Sequence, residues 1–600
     1  MGTASSTALP PTISGRALAL LDPAERPAPP AQWQAGAGPV PFATWWSSAV
    51  SGPAFQTFWA DPLAVRAAAD GDIEVSAPQT VVASDGTSER IFEPTVVLQA
   101  DGATTIRDAG AFHVALDQET PTGAVTLTIV QGSPFLEIGA SNEVVLFVPG
   151  LALVSADRAS AVFETANGAW VIGSDVPFAL ETDGDHLIVR VSEGSHLAIG
   201  PVYGLADDWR QVAREVAASP LLGTSESVEV SPDGSVTQRL AVERAGNGTG
   251  IVVLGDHHLD RVVGPEATES LAGPNGGAVI ARSDELTVVY PSVPIAWDFF
   301  DLDCIDCADL PLDQVDEPRL GGGSYFAGKE ALRLAQIGQI AADTGAQDRA
   351  ANAFTQLRAL LVDLVSAGGS LDLHWDPDWG QWCWTPAEFG LGNELNDHSL
   401  QYGYWIAAAS VYEERFPHDV VGLTDAIDLL VVDMGGATLL DGLATSTTAA
   451  RTWSAFEGHS WASGLAPFSA GNNLESISES TTAWWATGAL VDRNGPIRCG
   501  SYRNRSIHDR NGRGERPLAA HGGKRRRAPV EWRRVGWQGR SQHVVRRSRR
   551  GCPGYPIAST NTSIVGSLWL DRSRRGCRAS VGLVRRQRWL HLAVAEPARQ

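Results

Sequence analysis

Three carboxylates in this sequence stand out by the company they keep. Asp397 lies in Asn396-Asp397-His398-Ser399-Leu400-Gln401-Tyr402-Gly403-Tyr404. Glu475 and Glu479 lie in Gly471-Asn472-Asn473-Leu474-Glu475-Ser476-Ile477-Ser478-Glu479. Between them runs Glu457-Gly458-His459-Ser460-Trp461-Ala462-Ser463-Gly464. Carboxyl groups can give and take protons at a reacting centre. Glu475 and Glu479 are four residues apart, so a helix through both would put them on one face. Like charges repel at that spacing. A raised pKa on one of them relieves the repulsion and divides acid from base work. The small and aromatic residues around them are the materials of a sugar-binding cleft.

In order and approximate spacing, these segments resemble glycoside hydrolase family 81, the inverting endo-β-1,3-glucanases or laminarinases. The family's patterns are Asn-Asp-His-His-Phe-His-Tyr-Gly-Tyr, Gly-His-Ser-Trp-Ala-Ser-Gly and Asn-Gln-Glu-Ser-Ser-Ser-Glu. This chain departs at Ser399, Leu400, Gln401, Leu474 and Ile477, and Gln401 replaces a His that supports the acid in some members. All the carboxylates remain. The resemblance implies that Asp397 is the general acid and Glu475 the general base. Glu479 would then hold the attacking water or tune Glu475, although the two glutamates could exchange roles. It further implies that Asn396, His398 and Tyr402 position Asp397, and that His459 and Trp461 line the cleft. Inversion needs the acid and base carboxyls roughly 6.5–9.5 Å apart, with room for a water. No metal or cofactor is required. The implied partner is a β-1,3-glucan of the laminarin, curdlan or callose type. A non-catalytic β-glucan-binding protein on the same fold is the alternative.

Residues 375–384 read Trp-Asp-Pro-Asp-Trp-Gly-Gln-Trp-Cys-Trp. That density of indoles on a loop points to sugar contact, with Trp379 and Trp382 as candidate substrate-binding residues beside Trp375 and Trp384.

The elements that must position these groups fall into distinct regions. A chain of 600 residues exceeds one core, so several domains are expected. Residues 1–40, rich in Pro, Ala and Gly, read as a loose leader. Residues 41–205 carry short β-rich runs such as Val125–Val130 and Leu187–Val191, which predict an antiparallel β-sandwich. Trp45 and Trp46 near its start fit a core pair as well as a sugar contact. Residues 206–315 read as a small α/β linking domain. Within it, Asp256-His257-His258-Leu259-Asp260 reads as a turn with one satisfied His rather than a metal site. Cys304-Ile-Asp-Cys307 reads as a surface loop, with or without a local disulfide, rather than a metal site, because no second ligand pair follows.

Residues 316–490 turn helical. Leu332, Leu334, Ile337 and Ile340 suit one apolar face, and Phe354, Leu357, Leu360, Leu361 and Leu364 another. Periodicity permits a bundle or a toroid, and the resemblance selects an (α/α)6 helical barrel as the catalytic domain.

Charge is divided along the chain. Residues 1–490 carry 20 Lys and Arg against 63 Asp and Glu, a net of −43, which argues against nucleic acid. Residues 491–600 carry 26 against 6, a net of +20. Helical periodicity stops there, leaving the barrel incomplete. A shifted reading frame in GC-rich coding sequence is the simplest account of this aberrant basic tail. A genuine polyanion-binding tail is the alternative. No run approaches the ~18–20 apolar residues of a membrane span, so no membrane partner is expected. The N-terminus carries no visible signal peptide. Members of the family are usually exported, so an extracellular, monomeric protein is expected.

Overall fold

Two antiparallel sheets dominate the N-terminal part. The first runs edge to edge through Phe58–Trp59, Ala64–Ala67, Ile73–Ser76, Val96–Leu98, Glu143–Phe147, His186–Arg190 and Ala179–Asp183. The second has eight strands and is centred on Ser195–Pro201, Leu136–Ala140 and Gly123–Val130. The computed structural model of the chain describes residues 43–494. Within that span it leaves out 50–56, 69–70, 83–87, 102–103, 141, 232–234, 247–249, 260, 265–266, 274–275, 291–314, 316–322, 367–369, 377–380, 386–387, 392–393, 436–451, 467 and 469–470. The leader, Cys304, Cys307, Trp379 and all but the first four residues of the basic tail lie outside the described residues.

Strand alternation explains why the two sheets meet. Val144 and Leu146 of one sheet are buried, while Glu143, Val145 and Phe147 between them are less so. In the other sheet Val125, Leu127 and Ile129 point inward. These residues share one apolar core with Trp45, Trp46 and Trp170. The pair Trp45 and Trp46 is therefore core, 4% and 2% exposed. The outer face of the eight-stranded sheet is covered by helix α1 (Ala206–Ala217), whose Trp209, Val212 and Val216 pack on Val162 and Val171.

The next region is mainly β. Leu221–Val230, Val236–Arg244 and Glu285–Tyr290 form a sheet with the short Val262–Val263. Ile251–Gly255, Gly276–Arg282 and Ala267–Gly273 form a second. Asp256–Leu259 is a single helical turn, in which buried His258 makes a 2.8 Å hydrogen bond to the Phe456 carbonyl through Nε2.

The C-terminal part is helical: α2 (Ser324–Asp343), α3 (Gln347–Val365), α4 (His398–Arg415), α5 (Leu423–Gly435) and α6 (Ile477–Asn494). The apolar stripes fall where periodicity put them. Leu334, Ile337, Phe354, Leu357, Leu361 and Leu364 are buried in one core with Trp405 and Leu430. Helix α4 lies between α2 and α6 and is buried along His398–Tyr412. Gly403 makes this close approach possible, because a Cβ there would stand 2.7 Å from Ala483 of α6.

The β part grips the loop that precedes α6. Phe456 and Ala455 sit in an apolar cluster with Phe112, Val130, Leu240 and Val252. Gln238 donates to the Ala455 carbonyl at 3.0 Å. Asn472 Nδ2 donates to the Thr44 carbonyl at 2.9 Å, and the Ala43 amide to the Gly464 carbonyl at 2.8 Å. Gly132, at φ +80°, leaves the space that the Phe456 ring fills. Gly132→Ala is expected to cost about 1–3 kcal/mol, because a methyl group there overlaps the ring in a closed core. Chemical denaturation would measure the loss, and an unchanged midpoint would mean that Phe456 is not held there.

Candidate active site

Asp397 immediately precedes α4 and adopts the left-handed conformation, φ 61° and ψ 19°. Its amide donates to the Ala462 carbonyl at 2.7 Å, tying it to the Glu457–Gly464 segment. Its carboxylate makes no capping bond to the helix and so stays available. Asn396 clamps the same two segments. Its Oδ1 accepts from Ser463 Oγ and the Gly464 amide, both at 3.0 Å, and its Nδ2 donates to Glu394 at 2.9 Å.

Glu475 and Glu479 do not share a helix face. Helix α6 begins at Ile477, with Ser476 ahead of it accepting the Glu479 amide at 3.4 Å. Serine is a preferred residue at that position because its hydroxyl can satisfy an orphan amide. Glu475 falls outside the helix, at φ 52°. Asp397 and Glu475 are therefore both left-handed loop residues just ahead of helices. Both line a cleft of about 420 Å³ with Glu394, Asn473, Phe389 and Phe468.

Glu479 is held apart from that cleft. Its Oε1 accepts hydrogen bonds from the Tyr404 hydroxyl and, at 2.9 Å, from the Tyr325 hydroxyl. Lys329 Nζ stands 3.3 Å away, over the Tyr325 ring at 4.2 Å.

The three carboxyls consequently differ in charge. Burial, then the charges of Glu475 and Glu479, push Asp397 up to about 8. Partial burial and then Glu479 raise Glu475 above its ordinary value. Burial also works on Glu479. There it is outweighed by the hydrogen bond from Tyr404, the Lys329 ammonium and the bonds from Ser476 and Tyr325, so Glu479 lies below the usual range. The positive end of α4 favours the Asp397 anion by only ~0.3–1 kcal/mol, less than burial beside two carboxylates opposes it. The result is a protonated acid and a second carboxyl open to solvent in one cleft, with the Glu479 anion held beside it. Such a set can protonate a leaving group and activate water.

His398 and Tyr402 are close to Asp397 in sequence but face the other way. His398 Nδ1 lies 3.0 Å from Asp433 Oδ2, and the Tyr402 hydroxyl sits between Asp433 Oδ2 (2.9 Å) and the Trp382 carbonyl (3.0 Å). They brace the first turn of α4 on α5. Gln401 accepts from Ser324 Oγ at 2.8 Å and donates to the Glu388 carbonyl at 3.2 Å. Glu388 in turn caps the amides of Tyr325 and Phe326.

Trp382 must be corrected as a substrate-binding residue. It and Trp384 are each 1% exposed, in the helical core, so neither offers a ring face to a ligand. Both lie on one strand of an antiparallel hairpin, Asp372–Asp376 with Gln381–Thr385, and both turn into that core. Neither His459 nor Trp461 lines the cleft. Trp461 packs against the β core, and the His459 ring meets it edge-on at 4.5 Å. Burial lowers His459 to about 4, so it is neutral.

Sequence reasoning missed Lys329, Tyr325 and Asp433, which lie on other helices and carry no local pattern. It also missed Phe389 and Phe468. Among the described residues, no group of three or more His, Cys, Asp or Glu is arranged to hold a metal ion, and no helix is long and apolar enough to cross a membrane.

Residues 307–493 match the family model described as the glycosyl hydrolase family 81 C-terminal domain. A glucan endo-1,3-beta-D-glucosidase of Thermobifida fusca is 27% identical over 502 residues, covering 79% of this chain and 65% of that protein. The chain thus spans slightly less than two thirds of that relative. Another, from Acetivibrio thermocellus, is 33% identical over 180 residues, 29% of this chain and 22% of the relative. The fold is similar to that of a mutant glycoside hydrolase family 81 protein from Clostridium thermocellum. Its TM-score is 0.65 at 18% identity, covering 81% of this chain and 71% of that one.

Proposed function

The chain belongs to glycoside hydrolase family 81, and from that premise we propose that it cleaves β-1,3-glucan internally, with inversion, through Asp397 and Glu475. One observation carries the assignment. Asp397 is pushed to about 8 in a cleft that it shares with Glu475, beside a Glu479 held as an anion.

A general acid must hold its proton at working pH and lose it to the leaving oxygen. Asp397 does the first because ionising it would place a third negative charge in a partly buried cluster. Glu475 is the better base of the two glutamates. It faces the cleft, whereas one oxygen of Glu479 already has three donors around it. Glu479 tunes the pair: its fixed charge raises both Asp397 and Glu475. Asn396 holds Asp397 against the Ser463–Gly464 turn, while His398 and Tyr402 hold the helix start.

The division into a β-sandwich (41–205), a linking domain (206–315) and a helical catalytic domain (316–490) remains part of this reading. So do an (α/α)6 barrel to which α2–α6 contribute, an aberrant segment from 491, an exported site of action and a monomeric state. The role of the whole protein in polysaccharide breakdown follows from the same premise.

Incubation with laminarin and with cellulose tests the proposal. Oligosaccharides are expected from laminarin alone, with anomeric inversion visible by proton NMR in the first minutes. Products from cellulose alone, or binding of laminarin with no release of reducing ends, would overturn it.

A further inference from the structure

Three exposed large side chains among the described residues are aromatic: Phe389, Phe416 and Phe468. Phe416 packs against Phe354 and Tyr412, on the far side of the helical part. The other two line the cleft that holds Asp397 and Glu475. Phe389 is 56% exposed and Phe468 43%.

Phe389 also has an unfavourable backbone. Its φ is +53°, a conformation that a bulky residue adopts at a cost of about 1–3 kcal/mol. An exposed ring gains little from burial, so the fold itself has small use for a phenylalanine there. Yet the ring is held firmly. Tyr325 meets it edge-on at 4.9 Å and 71°, and Phe326 lies at 6.0 Å. Tyr325 is the residue whose hydroxyl binds Glu479. The ring is therefore fixed relative to the carboxylates, with much of its surface left to the cleft.

We propose that Phe389, with Phe468 as a second wall, is the aromatic platform on which a glucosyl ring of the chain stacks next to the bond that is cut. The inference rests on the glucanase reading above and names the recognition surface of that site. A pyranose ring offers a face of C–H bonds and an edge of hydroxyls. The phenyl rings meet the face, as apolar surface leaving water, and Glu394 and Asn473 around the same cleft can meet the hydroxyls. This surface takes the place of the buried Trp382.

The strained backbone makes a clean test. Asparagine tolerates the left-handed region, so Phe389→Asn removes the ring while relieving strain. The variant is expected to keep or raise its thermal midpoint while KM for laminarin rises about tenfold and kcat stays within about threefold. Phe389→Tyr, which keeps the ring, should hold KM within about twofold. A KM for Phe389→Asn within twofold of the parent overturns the platform. So does a loss of binding accompanied by a fall in melting temperature, since that marks a packing role. Equal losses in the Asn and Tyr variants also overturn it. If the parent chain neither binds nor cleaves laminarin, the glucanase reading falls and the platform with it. A parent that cleaves laminarin beside an unaffected Phe389→Asn sinks the platform alone.

Discussion

Asp397→Asn is expected to lower kcat on laminarin about 10²–10⁴-fold, the usual contribution of a positioned general acid, while KM and the circular dichroism spectrum stay close to those of the parent. The amide has the carboxyl's shape but no proton to give. Asparagine also accepts the left-handed backbone at this position more readily than most residues, so the fold should survive. The effect should shrink on a glucoside with an activated phenolic leaving group, which needs little protonation.

The same residue sets the alkaline limit. Turnover in the parent should fall as pH rises through about 8, where Asp397 loses its proton. Stability carries a matching sign. The folded value lies above the ordinary value of 3.8. The native state therefore binds the extra proton between those two values, and stability falls as pH rises across that window. Asn carries no such penalty. Asp397→Asn should therefore gain stability relative to the parent between pH 4 and 8. Near-normal turnover on laminarin would show that another residue is the acid. A melting difference independent of pH would show that Asp397 is not held protonated.

Glu475→Gln is expected to reduce kcat by a similar ~10²–10⁴-fold, for the opposite reason: the glutamine cannot take the proton of the attacking water. Azide needs no such base. Added azide should restore turnover in this variant and give a glucosyl azide of α configuration, because it enters from the face that water uses. Glu479→Gln should behave differently. Removing its fixed charge lowers the pKa of Asp397, so the alkaline limit should shift to lower pH, and azide should not rescue it. Rescue of the Glu479 variant instead of the Glu475 variant would reverse the two roles.

Much of the helical part could be read from spacing, because apolar stripes of α2 and α3 obey the 3.6-residue period that burial imposes. Strands such as Gly123–Val130 were legible for the matching reason, alternation across a sheet. The three carboxylates were legible from the local motifs around them. The relation between Glu475 and Glu479 was not. Four-residue spacing suggests one helix face, but Ser476 ends the loop and starts the helix one residue too late for Glu475 to join it. The Lys329–Tyr325–Tyr404 support for Glu479 joins residues 75 to 154 positions apart, which no local pattern records. Trp382 and Trp384 misled for a related reason. Trp suits a sugar face and a core equally, and only the inward turn of the hairpin decides between them.

The grip of the β part on the loop before α6 bears on how such a protein can be inherited. Residues 307–493 carry all three carboxylates and look like a portable cassette. Yet Phe456 is seated beside Gly132, and Asn472 and Gly464 are bonded to Thr44 and Ala43. A recombination event that moved the cassette alone into a new gene would deliver the acid and the base with the segment between them unmoored. Lineages of such a protein should therefore exchange it whole, and an isolated graft of the helical part should arrive as a catalyst without its alignment.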